Sequence, residues 1–295
     1  MKANKLIKKT FSLEKLIILI LFCFLTVASL FIIVPLIWGL MNSFKTANEY
    51  TILENVIGLP ENWTLENYIK VFEDMYVDVD GFKVTIPEMY LNSILYAVGG
   101  AFIQTFVTCI VAYTIARINK PFSKFLYGFV LFTTSLQIVG ALPSEIQLSK
   151  QLGIYDSMLG MYLMKSHFLG VYFLFFYARA KSLPNSMLEA AEIDGANEWT
   201  IYFKVAFPQM RGIFLTVFLL YAISAWNDYQ VTMVYLPSYP TISFGVYKFF
   251  MTTNNLTSAP RTITGCMFLL VPMLILYITC NKRLMQNVSL GGIKE

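Results

Sequence analysis

Asp228 is the only acid deep in an apolar run of this chain, and Trp226, Asn227 and Tyr229 flank it. Aromatic faces stack on ring ligands, while an amide and a carboxylate can hydrogen-bond hydroxyl groups. Together these residue types suit a polyhydroxylated ligand. Tyr221, Ser224 and Asp228 recur at i, i+3 and i+7, which predicts a polar stripe on one helix, with Trp226, Tyr229 and Gln230 on a neighbouring face. The competing reading is structural: Asn227 and Asp228 hydrogen-bond neighbouring helices, and Trp226 marks a membrane interface. Lys165 and His167 interrupt another apolar run. The lysine is expected to snorkel outward rather than line a pore. No acid or second histidine stands at metal-ligand spacing from His167, so a hydrogen-bonded histidine is expected there, not a ligand. The chain lacks H-E-x-x-H, G-x-S-x-G and any pair of intramembrane aspartates, the parts an intramembrane enzyme would need. It also lacks a G-x-x-x-x-G-K-[ST] phosphate loop, so no ATP site and no bound cofactor are expected.

The elements that must position these groups are membrane helices. Of the 295 residues, 57% are apolar and 14% charged, and the mean hydropathy is +0.60. A soluble domain carries about a quarter charged residues. Six stretches meet or approach the roughly 20 residues that cross a bilayer: 16–41, 93–115, 125–143, 157–180, 213–236 and 262–280. The third is short and carries Thr133, Thr134, Ser135 and Gln137. The first follows Lys2, Lys5, Lys8 and Lys9 but is longer than a signal-peptide core, so it reads as a retained span. Cys23, Cys109, Cys266 and Cys280 all lie in apolar stretches without a C-x-x-C, as small membrane hydrophobes would. The expected fold is all-α: one polytopic domain over 1–295, in contact with lipid. No clustered basic face for nucleic acid is evident.

Basic residues orient it. With the N-terminus inside, fifteen of the 22 Lys and Arg fall on the cytoplasmic side, among them Lys15, Arg117, Lys124, Arg179, Lys181, Lys204 and Arg211. Segment 42–91 holds nine acids against Lys45, Lys70 and Lys83, so it belongs outside, with a short amphipathic helix over 65–73. Both termini then lie in the cytoplasm, as does segment 181–212.

That cytoplasmic segment contains a hairpin at 186–208. Ser186 and Glu189 have capping-box spacing, predicting a helix that starts at Ser186 and ends at Asp194-Gly195. A second short helix begins near Asn197, with Trp199, Tyr202, Phe203 and Ala206 on one face. Such a hairpin could lie on the lipid surface. Its acids, Glu189, Glu192, Asp194 and Glu198, favour docking to a protein instead.

Glu189-Ala190-Ala191, Gly195, Val205 and Phe207-Pro208 stand at the spacing of the loop that resembles the "EAA" signature of ABC importer permeases, with Val205 and Phe207 as conservative departures. Trp226-Asn227-Asp228-Tyr229 and the ending Gly291-Gly292-Ile293-Lys294-Glu295 are similar to tracts of maltose-type sugar permeases, specifically the shorter, six-span subunit. The resemblance implies a permease subunit that moves a sugar or oligosaccharide across the cytoplasmic membrane. It implies as partners a homologous second permease, an extracytoplasmic solute-binding protein, and two ATPase subunits that carry ATP and Mg and seat the hairpin in a groove. The hairpin by itself leaves an amino acid or peptide open as cargo.

Overall fold

The computed structural model describes residues 2–52, 54–118, 121–136, 142–252 and 259–289. Gln137 and the Gly291–Glu295 ending lie outside them, and the side chains of Lys2, Lys5, Lys8, Lys9 and Cys280 are likewise not described. Backbone contacts group the chain into two compact units, Met1–Asp74 with Thr252–Met267, and Met75–Met251 with Phe268–Glu295.

In the first unit, α1 (Lys2–Ser43) runs unbroken through Pro35, and large apolar side chains from Leu13 to Leu40 stand exposed along it. A helix that is apolar all round satisfies every backbone group internally and leaves its surface to lipid. Behind it come α2 (Ala47–Thr51) and α3 (Glu66–Asp74). Here polar residues form the interior. Lys45 is fully buried and donates from Nζ to the Asn55 carbonyl at 2.6 Å. Glu49 accepts from Asn55 Nδ2 at 2.9 Å and from the Glu61 N–H at 2.8 Å. Asn67 Nδ2 donates to the Ser43 and Lys45 carbonyls. Burial pulls the Lys45 amine below its ordinary range, and nearby Glu49 pulls it back.

The second unit opens with a feature that corrects the all-α expectation. Strands β1 (Val77–Val79) and β2 (Phe82–Val84) pair antiparallel around Asp80-Gly81. Both turn residues have positive φ, 51° and 86°, which matches the turn that suits strand twist. Next, α4 (Ile86–Ile94), a π-helical run Leu95–Gly99 and α5 (Gly100–Arg117) form one continuous rod. Then follow α6 (Pro121–Ser135), α7 (Leu142–Gln151), α8 (Met158–Lys165), α9 (Val171–Lys181), α10 (Asn185–Ile193) and α11 (Glu198–Thr200). A second π run, Ile201–Ala206, joins α11 to α12 (Phe207–Trp226); α13 (Gln230–Tyr235), α14 (Ile242–Thr252) and α15 (Ala259–Ser289) complete the chain.

Among the described residues four helices are long and apolar enough to cross a membrane: Lys15–Ser43, Ile86–Arg117, Glu198–Trp226 and Ala259–Thr279. The expected stretch 157–180 is instead broken between α8 and α9, where Ser166 to Gly170 leave the helix and Gly170 takes φ 134°. The stretch 213–236 is broken at Asn227–Tyr229. Polar side chains mark both breaks. The unit's core gathers α5, α9, α10 and α12 around Cys109, Tyr113, Phe173, Phe176, Leu188 and Tyr202.

Candidate functional site

The hairpin is built differently from its sequence expectation, though its turn matches. Helix α10 begins at Asn185, one residue early, with Pro184 at the cap and no side-chain cap bond. The fixed φ of proline presets helix entry, so Ser186 falls inside the first turn and the Ser186–Glu189 capping box does not form. Asn185 is held from outside, accepting from Arg117 Nη1 at 2.8 Å. At the other end Ala196 N–H donates to the Ala191 carbonyl and Gly195 N–H to that of Glu192. This paired pattern requires a left-handed residue, and Gly195 supplies it at φ 80°. Asn197 then caps the next helix, accepting from the Thr200 N–H at 2.8 Å.

The second helix is not short. It continues through Phe207 and Pro208 to Trp226, because Pro208 falls at the joint between π and α winding, where its missing donor breaks no regular ladder. The π run also divides the expected stripe. Tyr202 and Ala206 are buried, while Trp199 and Phe203 stack on each other at the surface, 6.1 Å apart. The wider π turn carries i and i+3 away from one another.

Burial therefore separates a root from a tip. Leu188, Ile201, Tyr202 and Ala206 form the root, with Tyr202 O–H reaching Cys109 Sγ at 3.4 Å. Glu189, Ala190, Asp194 and Gly195 are exposed, while Ala191 and Val205 are half-buried. The most prominent apolar groups are Ile193, 86% exposed, and Trp199, 64% exposed. Ile193 was not singled out from the sequence; an isoleucine beside an Asp-Gly helix end is the signal that could have marked it. Beneath the tip, a cavity of about 400 Å³ is lined by Tyr113, Arg117, Glu192, Glu198 and Trp199 among others.

The second cluster sits at the two breaks. Trp226 is buried and donates from Nε1 to the Leu269 carbonyl at 3.2 Å, so its ring is committed to packing. Asn227 is exposed and caps the end of α12 by donating to the Ile223 carbonyl. Asp228 lies beyond the helix, so the stripe expected with Tyr221 and Ser224 does not continue to it. Its two oxygens accept from the Val231 N–H at 3.0 Å and from the Tyr96 O–H at 3.1 Å. Tyr229 stacks on Tyr247 with centroids 4.3 Å apart. His167 meets Gln104 through Nε2 at 3.3 Å. Lys165 does not snorkel along its own helix: its Nζ lies over the ring of the fully buried Tyr96, 4.8 Å from the centroid.

Long apolar spans, two broken helices with polar residues at the breaks, and an exposed hairpin rooted in the core mark a multi-pass membrane protein. No family model matches the chain. It is 27% identical over 277 residues to the diacetylchitobiose uptake system permease of Streptomyces coelicolor, covering 90% of this chain and 85% of that protein. An inner-membrane ABC transporter permease of Escherichia coli is 25% identical, covering 92% and 95%. Among solved structures, a bacterial ABC transporter involved in importing the acidic polysaccharide alginate shares the fold, with a TM-score of 0.73 and 22% identity over 88% of this chain and 93% of that one. Over nearly its whole length the chain is thus similar to permeases of carbohydrate ABC importers.

Proposed function

We propose that this chain is a permease subunit of an ATP-driven importer that moves a sugar or oligosaccharide across the cytoplasmic membrane. The observation that carries this reading is the hairpin, whose buried root fixes it to the bundle while Ile193 and Trp199 project from it. Burying a leucine such as Leu188 contributes about 2 kcal/mol, so the root resists the forces of docking. In the proposed complex, one copy joins a homologous second permease, two ATPase subunits that hold ATP and Mg, and an external binding protein. The chain contributes about six spans, with the broken pairs α8/α9 and α12/α13 each acting as one, and both termini in the cytoplasm. Segment 42–91 faces the binding protein. Glu189, Ala190, Ala191, Asp194, Gly195, Val205, Phe207 and Pro208 form or frame the surface that receives the ATPase. Trp226, Asn227, Asp228 and Tyr229 shape the pathway, Trp226 as a packing anchor. Broken helices at the bilayer interior are tolerated where they line a cavity, which supports a pathway at this level.

Reconstitution tests the reading. The purified chain alone should hydrolyse no ATP, and the full complex should couple hydrolysis to sugar uptake. ATP hydrolysis by the isolated chain, or sugar uptake unaffected by disrupting the hairpin, would overturn it.

A further inference from the structure

We infer that Lys165 contacts the transported sugar and selects carbohydrates bearing an anionic group, such as uronates. The inference rests on the importer reading above and concerns one side chain at the break between α8 and α9. The lysine stem crosses onto the start of α5, where Gly100 leaves it room: a Cβ there would stand 2.9 Å from Lys165 Cδ. Tyr96 forms the floor beneath the ammonium. A cation over an aromatic face is attracted to it, yet its N–H donors remain unused. Among the described residues nothing accepts a hydrogen bond from Nζ, and no carboxylate lies in ion-pair contact with it.

Asp228 shares Tyr96 with the lysine but makes no ion pair with it. Both of its oxygens are already engaged, by Tyr96 O–H and by Val231 N–H, the latter opening α13. The carboxylate is thereby anchored to the tyrosine's hydroxyl end, leaving the ammonium over the ring face. An ammonium set among apolar spans without its own acceptor is costly unless something passes that completes it. An anionic oxygen does so best, because charge-assisted hydrogen bonds are roughly twice as strong as neutral ones. His167 and Asn227, both exposed, and the partly exposed Ser166 add polar surface at the same two breaks.

The test is uptake by the reconstituted importer of a panel of oligosaccharides, with digalacturonate and neutral galactobiose as the matched pair. Lys165→Met should weaken apparent affinity for digalacturonate about tenfold or more relative to galactobiose, and Lys165→Arg should retain most of the preference. Wild-type importer that carries neutral sugars but no uronate would overturn the inference while leaving the importer reading intact. Equal loss of both sugars in Lys165→Met would also overturn it. So would recovery of digalacturonate uptake in Lys165→Met/Asp228→Asn, since that would assign the lysine to balancing Asp228 alone. Failure to carry any sugar would remove the importer reading and this inference together.

Discussion

The hairpin and the helix breaks lie in the same compact unit, yet they solve opposite problems. The hairpin holds itself by apolar packing at its root and offers apolar groups, Ile193 and Trp199, at its tip. The breaks are held by hydrogen bonds, Tyr96 to Asp228 and Gln104 to His167, and they leave polar side chains exposed along otherwise apolar spans. A surface meant for a protein partner is expected to be apolar at its centre. A surface meant for a hydrated cargo must keep its polar groups supported yet available. The contrast teaches that exposure carries opposite information at the two places: at the hairpin the unusual exposed residue is the apolar one, and among the spans it is the polar one.

The strongest way to break the comparison is at Gly195. No atom lies near where its Cβ would stand, so replacing it strains only the backbone, by about 1 kcal/mol. Gly195→Asp should nonetheless abolish sugar uptake and co-purification of the ATPase, while Gly195→Ala keeps much of both. Equal behaviour of the two would show that the tip does not dock. Root and tip can next be separated. Leu188→Ala should destabilise the detergent-purified chain by about 2–5 kcal/mol, whereas Ile193→Ser should leave thermal unfolding unchanged and lower sugar-stimulated ATP hydrolysis severalfold. Unfolding curves paired with ATPase assays check both. At the breaks, Trp226→Ala should reduce uptake more than Tyr229→Ala, because the tryptophan is buried and bonded to Leu269 whereas the tyrosine is half-exposed. Tyr96→Phe should cost about 1 kcal/mol through its lost bond to Asp228 and slow uptake modestly. The smallest effect is expected of Glu189→Ala. Its side chain is exposed and caps nothing, so only one docking contact is lost, and a binding titration with the ATPase should register a change of a few-fold at most.

Much of this architecture was legible in the residues because long apolar runs obey one simple constraint of length. The stretches 16–41, 93–115 and 262–280 all fall within long helices, and Gly195 takes the left-handed turn that the Asp-Gly ending implied. The breaks were only half legible. Lys165 and His167 were visible as interruptions, but whether a polar residue bends a span or merely sits in it depends on its partners, and Tyr96 and Gln104 are distant in sequence. The two-stranded hairpin was marked by Asp80-Gly81 between alternating apolar residues, a pattern hidden within a segment read for its charge and for the helix over 65–73. The capping box failed because Pro184, two residues before Ser186, already set the entry of the helix.

The π winding at Ile201–Ala206 adds a constraint of a different kind. A π turn arises when a helix carries one residue more than its regular winding can absorb. The rod from Glu198 to Trp226 therefore takes up a surplus residue in its wider turn, and the angle between Trp199 near one end and Asn227 just past the other stays close to that of a regular helix one residue shorter. Removing one residue within Ile201–Ala206 would let the helix relax to ordinary winding. The two ends would then keep nearly their present orientation, whereas removing one residue from the regular winding of α12 would rotate every side chain on one side of the deletion by about 100° relative to the other. The second of these chains would keep its composition, its hydropathy and nearly its whole sequence while its two ends faced the wrong way.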